Sequence, residues 1–117
     1  MDNNQREFFR VRFNKPLEGE VSILNKDPFQ IEIHDVSVKG LRFSSDVDLP
    51  LHKDLMCSFS ILDCSFKMKG SIVRKSPERK GIDYGVILKQ DPVTFSELFK
   101  QLNYYQIRKR KGTLEEV

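Results

Sequence analysis

A chain of 117 residues closes one hydrophobic core rather than two, and 20 Lys and Arg against 17 Asp and Glu leave a formal charge of only +3 with both signs scattered. That balance excludes a chain that coats a polyanion along its whole length, while permitting a local cationic site. Cys57 and Cys64 are too few for a disulfide scaffold and lack the companions of a zinc set, and with no apolar leader or bilayer-length apolar run the protein is expected to be reduced, soluble and cytoplasmic.

The first segment, residues 1–13, is read as an arm built on Arg6-Glu7-Phe8-Phe9-Arg10, with Arg12 close behind and Val11 and Phe13 alternating with the arginines. Arg6 and Arg10 share a side in extended chain and equally at i, i+4 on a helical turn, so their pairing does not depend on conformation. Two planar guanidinium forks on one side can grip phosphate oxygens, reach the O6 and N7 acceptors of guanine, or stack on a base. Arginine pairs on a merely solvated face are common, so the spacing alone leaves both readings open. Being terminal and cationic, the stretch from Asn4 to Arg12 is expected to stay loose until a ligand bridges it to the rest.

Residues 14–90 carry period-two alternation: Val21 with Ile23, Phe29 with Ile31 and Ile33, Leu55 through Cys57 and Phe59 to Ile61, Phe66 with Met68, and Ile82 through Tyr84 and Val86 to Leu88. Turn formers stand between these runs at Asn25 to Pro28, Gly40, Pro50, Asp63 and Ser76 to Gly81. Six or seven short strands with no helical crossover imply an all-β, antiparallel sheet that is closed or nearly so. Within it, the apolar phase moves from odd positions to Val36 and Val38, which implies a bulge near His34 and Asp35. If the register resumes there, Asp35 and Ser37 face outward together, and Gly40 supplies a positive φ before the next strand. A carboxylate so placed accepts from paired donors such as guanine N1–H and N2–H, and the hydroxyl adds a phosphate or base contact. The alternative is an Asp and a Ser that merely satisfy a turn.

The period then changes: Phe95, Leu98, Phe99, Leu102 and Tyr105 form one stripe of an amphipathic helix over residues 91–111, with Asp91 as N-cap, Pro92 at the first helical position and Gly112 ending it. The stripe docks on the barrel or, failing that, on a partner or membrane surface. Residues 112–117 form a tail. Catalysis finds no support, since His34 and His52 are lone and no nucleophile has an evident base. No phosphate-binding glycine loop and no metal set is present in the sequence, so no cofactor is expected.

Together, R-x-x-x-R ahead of the first strand and D-x-S-x-x-G at the end of the second resemble the signature of the PilZ domain family. Gly70-Ser71-Ile72-Val73-Arg74 and Asp83-Tyr84-Gly85-Val86-Ile87-Leu88 resemble its later strands, so the likeness runs from about Gln5 to Tyr105. The resemblance implies a single domain, a six-stranded antiparallel PilZ-type β-barrel with one C-terminal amphipathic α-helix. It also implies binding of the second messenger cyclic di-GMP on the outside, by Arg6, Arg10, Asp35, Ser37 and Gly40, with Gln5, Arg12, Lys39 and Arg74 as secondary contacts. Many members carry a further arginine immediately before R-x-x-x-R, linked in the family to taking up a stacked ligand dimer; this chain has Gln5 there. A downstream protein partner controlling motility, adhesion, biofilm or exopolysaccharide is the implied output.

Two rivals stand beside this reading. One is a PilZ-like adaptor that acts mainly by docking its helix or basic tail on another protein. The other is a small barrel that binds single-stranded nucleic acid, which needs outward aromatics over a cationic groove, whereas Phe59 and Phe66 stand in core phase; stable nucleic-acid binding is therefore not expected.

Overall fold

Alternation becomes architecture most plainly in β4 (Asp54–Ile61), where Leu55, Cys57, Phe59 and Ile61 are buried while Met56, Ser58 and Ser60 face outward. In the computed structural model, which describes residues 10–89 and 91–112, five further strands repeat this division. They are β1 (Val11–Ser22), β2 (Phe29–Val36), β3 (Gly40–Ser45), β5 (Cys64–Pro77) and β6 (Ile82–Leu88). All neighbouring pairs are antiparallel, and the order β1-β2-β3-β6-β5-β4 closes on itself through Glu20 to Ser22 of β1 paired with Met56 to Ser58 of β4. These three pairs join the two outer strands and close the sheet on itself. The chain is thus an all-β, six-stranded antiparallel barrel followed by one C-terminal helix.

The first strand begins earlier than the sequence suggested. Val11 and Phe13, assigned there to the arm, are buried, and Arg12 is paired with Asp35 of β2. Their phase already matches the interior, so burying two more apolar side chains extends the strand up to Arg10. The expected loose arm otherwise falls on residues 1–9, outside the described residues, as do Gln90 and the tail beyond Gly112.

The core is filled by the inward side of every strand, with Phe43 and Tyr84 stacked at 5.0 Å between ring centroids. The Tyr84 hydroxyl accepts from the Leu49 amide and donates to the Val47 carbonyl, both at 2.7 Å, which ties the β3–β4 connection to the barrel. Helix α1 (Pro92–Lys111) rests on β4 and β5 through its buried Leu98, Leu102 and Tyr105. Tyr105 meets Phe13 edge-on at 5.3 Å, and Lys109 Nζ donates to the Arg12 carbonyl at 2.7 Å, so the helix also secures the start of β1. Gly112, at φ 72°, terminates it as expected. Asp91 occupies the N-cap in extended conformation, but its carboxylate accepts from the Thr94 hydroxyl at 2.7 Å rather than from a backbone amide. Among the described residues, no helix is long and apolar enough to cross a membrane.

Candidate functional site

Cross-strand register gathers the polar residues of the outer wall into a row. Arg12 of β1 is paired with Asp35 of β2, Asp35 with Arg42 of β3, Arg42 with Gly85 of β6, and Gly85 with Arg74 of β5. Directly opposed residues in an antiparallel ladder project to the same side. Two irregularities set this alignment. A register shift between Ile33 and Asp35 moves Asp35 out of the core phase of β2, as the phase break in the sequence implied, and another between Ile72 and Arg74 does the same in β5.

A shallow depression of about 620 Å³ lies over this row, lined by Arg10, Asp35, Lys39, Arg42, Arg74 and the backbone around Gly40 and Gly85, with Val73 and Ile87 forming an apolar shelf. Val73 and Ile87 are exposed although both are large and apolar. Four cations border the depression against the one carboxylate of Asp35, so it attracts anions. Gly85 contributes by lacking a side chain: a Cβ there would lie 3.2–3.3 Å from Arg74 atoms, so the glycine lets the arginine lie across the strand.

Asp35 is the buried centre of the site. Its Oδ1 accepts from Arg10 Nη1 at 2.5 Å and its Oδ2 from Arg42 Nε at 2.9 Å. Arg42 continues through Nη1 to Asp83 Oδ1 at 3.0 Å. Burial disfavours the Arg42 charge, but its bonds to Asp35 and Asp83 and the field of both carboxylates outweigh that effect and hold its pKa above the usual arginine value.

The turn after β2 is held by Ser37. Its amide donates to the Gly40 carbonyl at 2.8 Å, and its hydroxyl accepts from the Gly40 amide at 3.2 Å and the Lys39 amide at 3.3 Å. The expectation that Asp35 and Ser37 project outward together is therefore corrected: Ser37 is buried and folded into its own turn, because a short hydroxyl reaches nearby amides before it reaches solvent. Gly40 is corrected too. It has no positive φ; what it supplies is space, since a Cβ there would lie 2.5 Å from the Val86 carbonyl oxygen. The Lys39 carbonyl accepts from the Leu88 amide at 2.8 Å, pressing the turn against β6.

Of the residues proposed from sequence, Arg10, Asp35, Lys39, Gly40 and Arg74 thus border one depression, with Ser37 bracing its turn and Arg12 beside Asp35 in the row. Arg6 and Gln5 lie outside the described residues. Arg42, Val73, Gly85 and Ile87 were missed. Phe59 and Phe66 stack on each other in the interior at 5.7 Å, so neither forms an outer platform. Among the described residues, no group of three His, Cys, Asp or Glu could hold a metal.

Comparison with known proteins agrees with the fold. The family model described as PilZ domain matches residues 4–103. Three solved structures share the fold. Escherichia coli YcgR in complex with c-di-GMP has a TM-score of 0.76 at 12% identity over 92% of this chain and 49% of that one. The Bacillus subtilis inhibitor of motility, MotI/DgrA, has a TM-score of 0.66 at 11% identity, over 94% of this chain and 53% of that one. The PilZ domain of Escherichia coli YcgR with c-di-GMP has a TM-score of 0.67 at 11% identity, over 94% and 99% of the two chains. The chain therefore spans about half the length of the first two proteins. No curated protein sequence matches it.

Proposed function

The chain belongs to the PilZ domain family, and from that premise we propose that it is a cyclic di-GMP receptor, acting by binding rather than catalysis and passing the signal to a protein partner. The observation that carries the reading is the convergence of Arg10, Asp35, Lys39, Gly40 and Arg74 on one depression of the outer wall, where an anion-attracting rim surrounds a single buried carboxylate. That combination suits a ligand with both phosphates and guanines. Arginine forks take phosphate oxygens or the O6 and N7 edge, and the carboxylate accepts from N1–H and N2–H. Arg6, four residues before Arg10 in the sequence, is proposed as a second fork for the ligand. The exposed Val73 and Ile87 offer a dry surface for the flat face of a base, beside the Arg74 guanidinium.

YcgR structures are described with c-di-GMP and MotI as an inhibitor of motility, which supports the ligand and favours a cytoplasmic role in controlling motility, with adhesion, biofilm or exopolysaccharide as related outputs. The test is calorimetry with cyclic di-GMP, GTP and a single-stranded oligonucleotide at matched salt. Selective heat with the first is the expected result; heat with none of them returns the chain to the adaptor reading, and heat with the oligonucleotide alone to nucleic-acid binding.

A further inference from the structure

The two arginines on Asp35 are not equivalent. Arg10 precedes β1, its side chain is 50% exposed, and its ion pair is with Asp35. Arg42 stands in the middle of β3, is 33% exposed, and is gripped at both ends, by Asp35 Oδ2 through Nε and by Asp83 Oδ1 through Nη1. A carboxylate turns readily about its last torsion, which has broad, roughly two-fold wells. A donor anchored elsewhere removes that freedom.

We infer that Arg42, clamped between Asp35 and Asp83, is a positioning residue that fixes the plane of the Asp35 carboxylate, leaving Oδ1, the oxygen now shared with Arg10, as the one that meets a ligand donor. Arg10 is then the exchangeable partner. It can turn from Oδ1 toward a phosphate while Arg42 keeps the carboxylate aimed, because Arg42 retains its second anchor on Asp83 when Arg10 leaves. Asp83 does not line the depression, and its contact with the site runs through Arg42. The identity of the ligand rests on the proposed function; the clamp does not.

The experiment is a double-mutant cycle read by calorimetry with cyclic di-GMP, using the wild type, Asp83→Asn, Asp35→Asn and the double variant. Asp83→Asn should weaken binding about 3- to 10-fold in the wild-type background, within the range of couplings among residues of one network, and should cause no further loss beside Asp35→Asn. Equal weakening in both backgrounds, or none in the wild type, overturns the inference. If Asp83→Asn fails to fold, Arg42→Lys replaces it, since an ammonium cannot hold both carboxylates in the fork geometry.

Failure of the ligand reading has a different signature: no binding by the wild type, or unchanged affinity in Asp35→Asn. The clamp is then judged without ligand, from the nitrogen-15 resonance of the Arg42 Nε–H. Slow exchange with solvent that persists in Arg10→Ala and is lost in Asp83→Asn supports it. Loss in Arg10→Ala, or indifference to Asp83→Asn, overturns it.

Discussion

Arg10 and Asp35 are joined across the β1–β2 junction at 2.5 Å, a half-exposed guanidinium on a carboxylate whose side chain is 4% exposed. The pair links the two signature motifs directly: the last arginine of the first motif is bound to the residue that begins the second. In the proposed receptor, Arg10 moves between that carboxylate and a phosphate, so it should matter far more to binding than to folding.

Arg10→Ala should weaken cyclic di-GMP binding by roughly 10- to 100-fold, because a charged hydrogen bond contributes about 1.5–3 kcal/mol and each decade of affinity is about 1.4 kcal/mol. Arg10→Lys should restore only part of this, since a point charge cannot reproduce a bidentate fork. Thermal unfolding should change less than binding, because the buried Asp35 carboxylate keeps its pair with Arg42 when Arg10 is removed. Calorimetry and melting curves on the same samples check both halves, and wild-type affinity for Arg10→Ala would sink the assignment.

Asp35→Ala makes the depression more positive, and a site that worked by charge alone would then hold an anion more tightly. If the carboxylate reads a guanine edge, binding should instead weaken, and the loss should persist when salt screens the added positive field. Titrating the variant at two salt concentrations decides by sign.

The barrel was legible because buried strand residues repeat at period two, and even the bulge near His34 left a trace in the phase of Val36 and Val38. Arg42 left none. Its value depends on being opposite Asp35 in one ladder and opposite Gly85 in the next, and those registers are set by turns and bulges that alternation does not encode. Gly40 was recognised for the wrong property. Turn chemistry makes dihedral freedom the first reading of a glycine, whereas here the constraint is the Val86 carbonyl of a strand distant in sequence. Ser37 likewise was placed correctly in the chain, but its hydroxyl turned inward to amides within its own turn.

Those two constraints on glycine separate experimentally. Gly40→Ala must displace β3 from the Val86 carbonyl, 2.5 Å from the new Cβ, and should destabilise the fold by about 1–3 kcal/mol, the usual cost of overpacking. Gly112→Ala meets no atom within 4 Å and is penalised only by its φ of 72°, which costs about 1–2 kcal/mol. Denaturant unfolding should show both losses, but only Gly40→Ala should also reduce cyclic di-GMP affinity, because it moves the turn that borders Asp35. Unchanged binding by a folded Gly40→Ala protein would separate that turn from the site.

Alkaline pH provides a test of the core that needs no ligand. Cys57 is fully enclosed, and burial pushes its thiol up from the usual value to about 12. Below about pH 7.5 the thiol is protonated both in the barrel and in the unfolded chain, so it contributes no pH dependence. Between about pH 9 and 12 the unfolded chain releases this proton while the barrel retains it, and stability must fall as pH rises, by about 1.4 kcal/mol per pH unit for one such group. Other groups titrate in the same range, so the comparison is with Cys57→Val, which fills the same apolar space without a proton to lose. Urea unfolding of the two proteins from pH 7 to 10.5 should give stability curves that run parallel below about 7.5 and diverge above about 8.5, the wild type declining more steeply. Iodoacetamide should modify Cys57 only as fast as the barrel unfolds, because the reactive species is the thiolate and the closed sheet admits neither water nor reagent. Parallel curves throughout, or rapid modification under native conditions, would mean that the β4 face of the core is open to solvent.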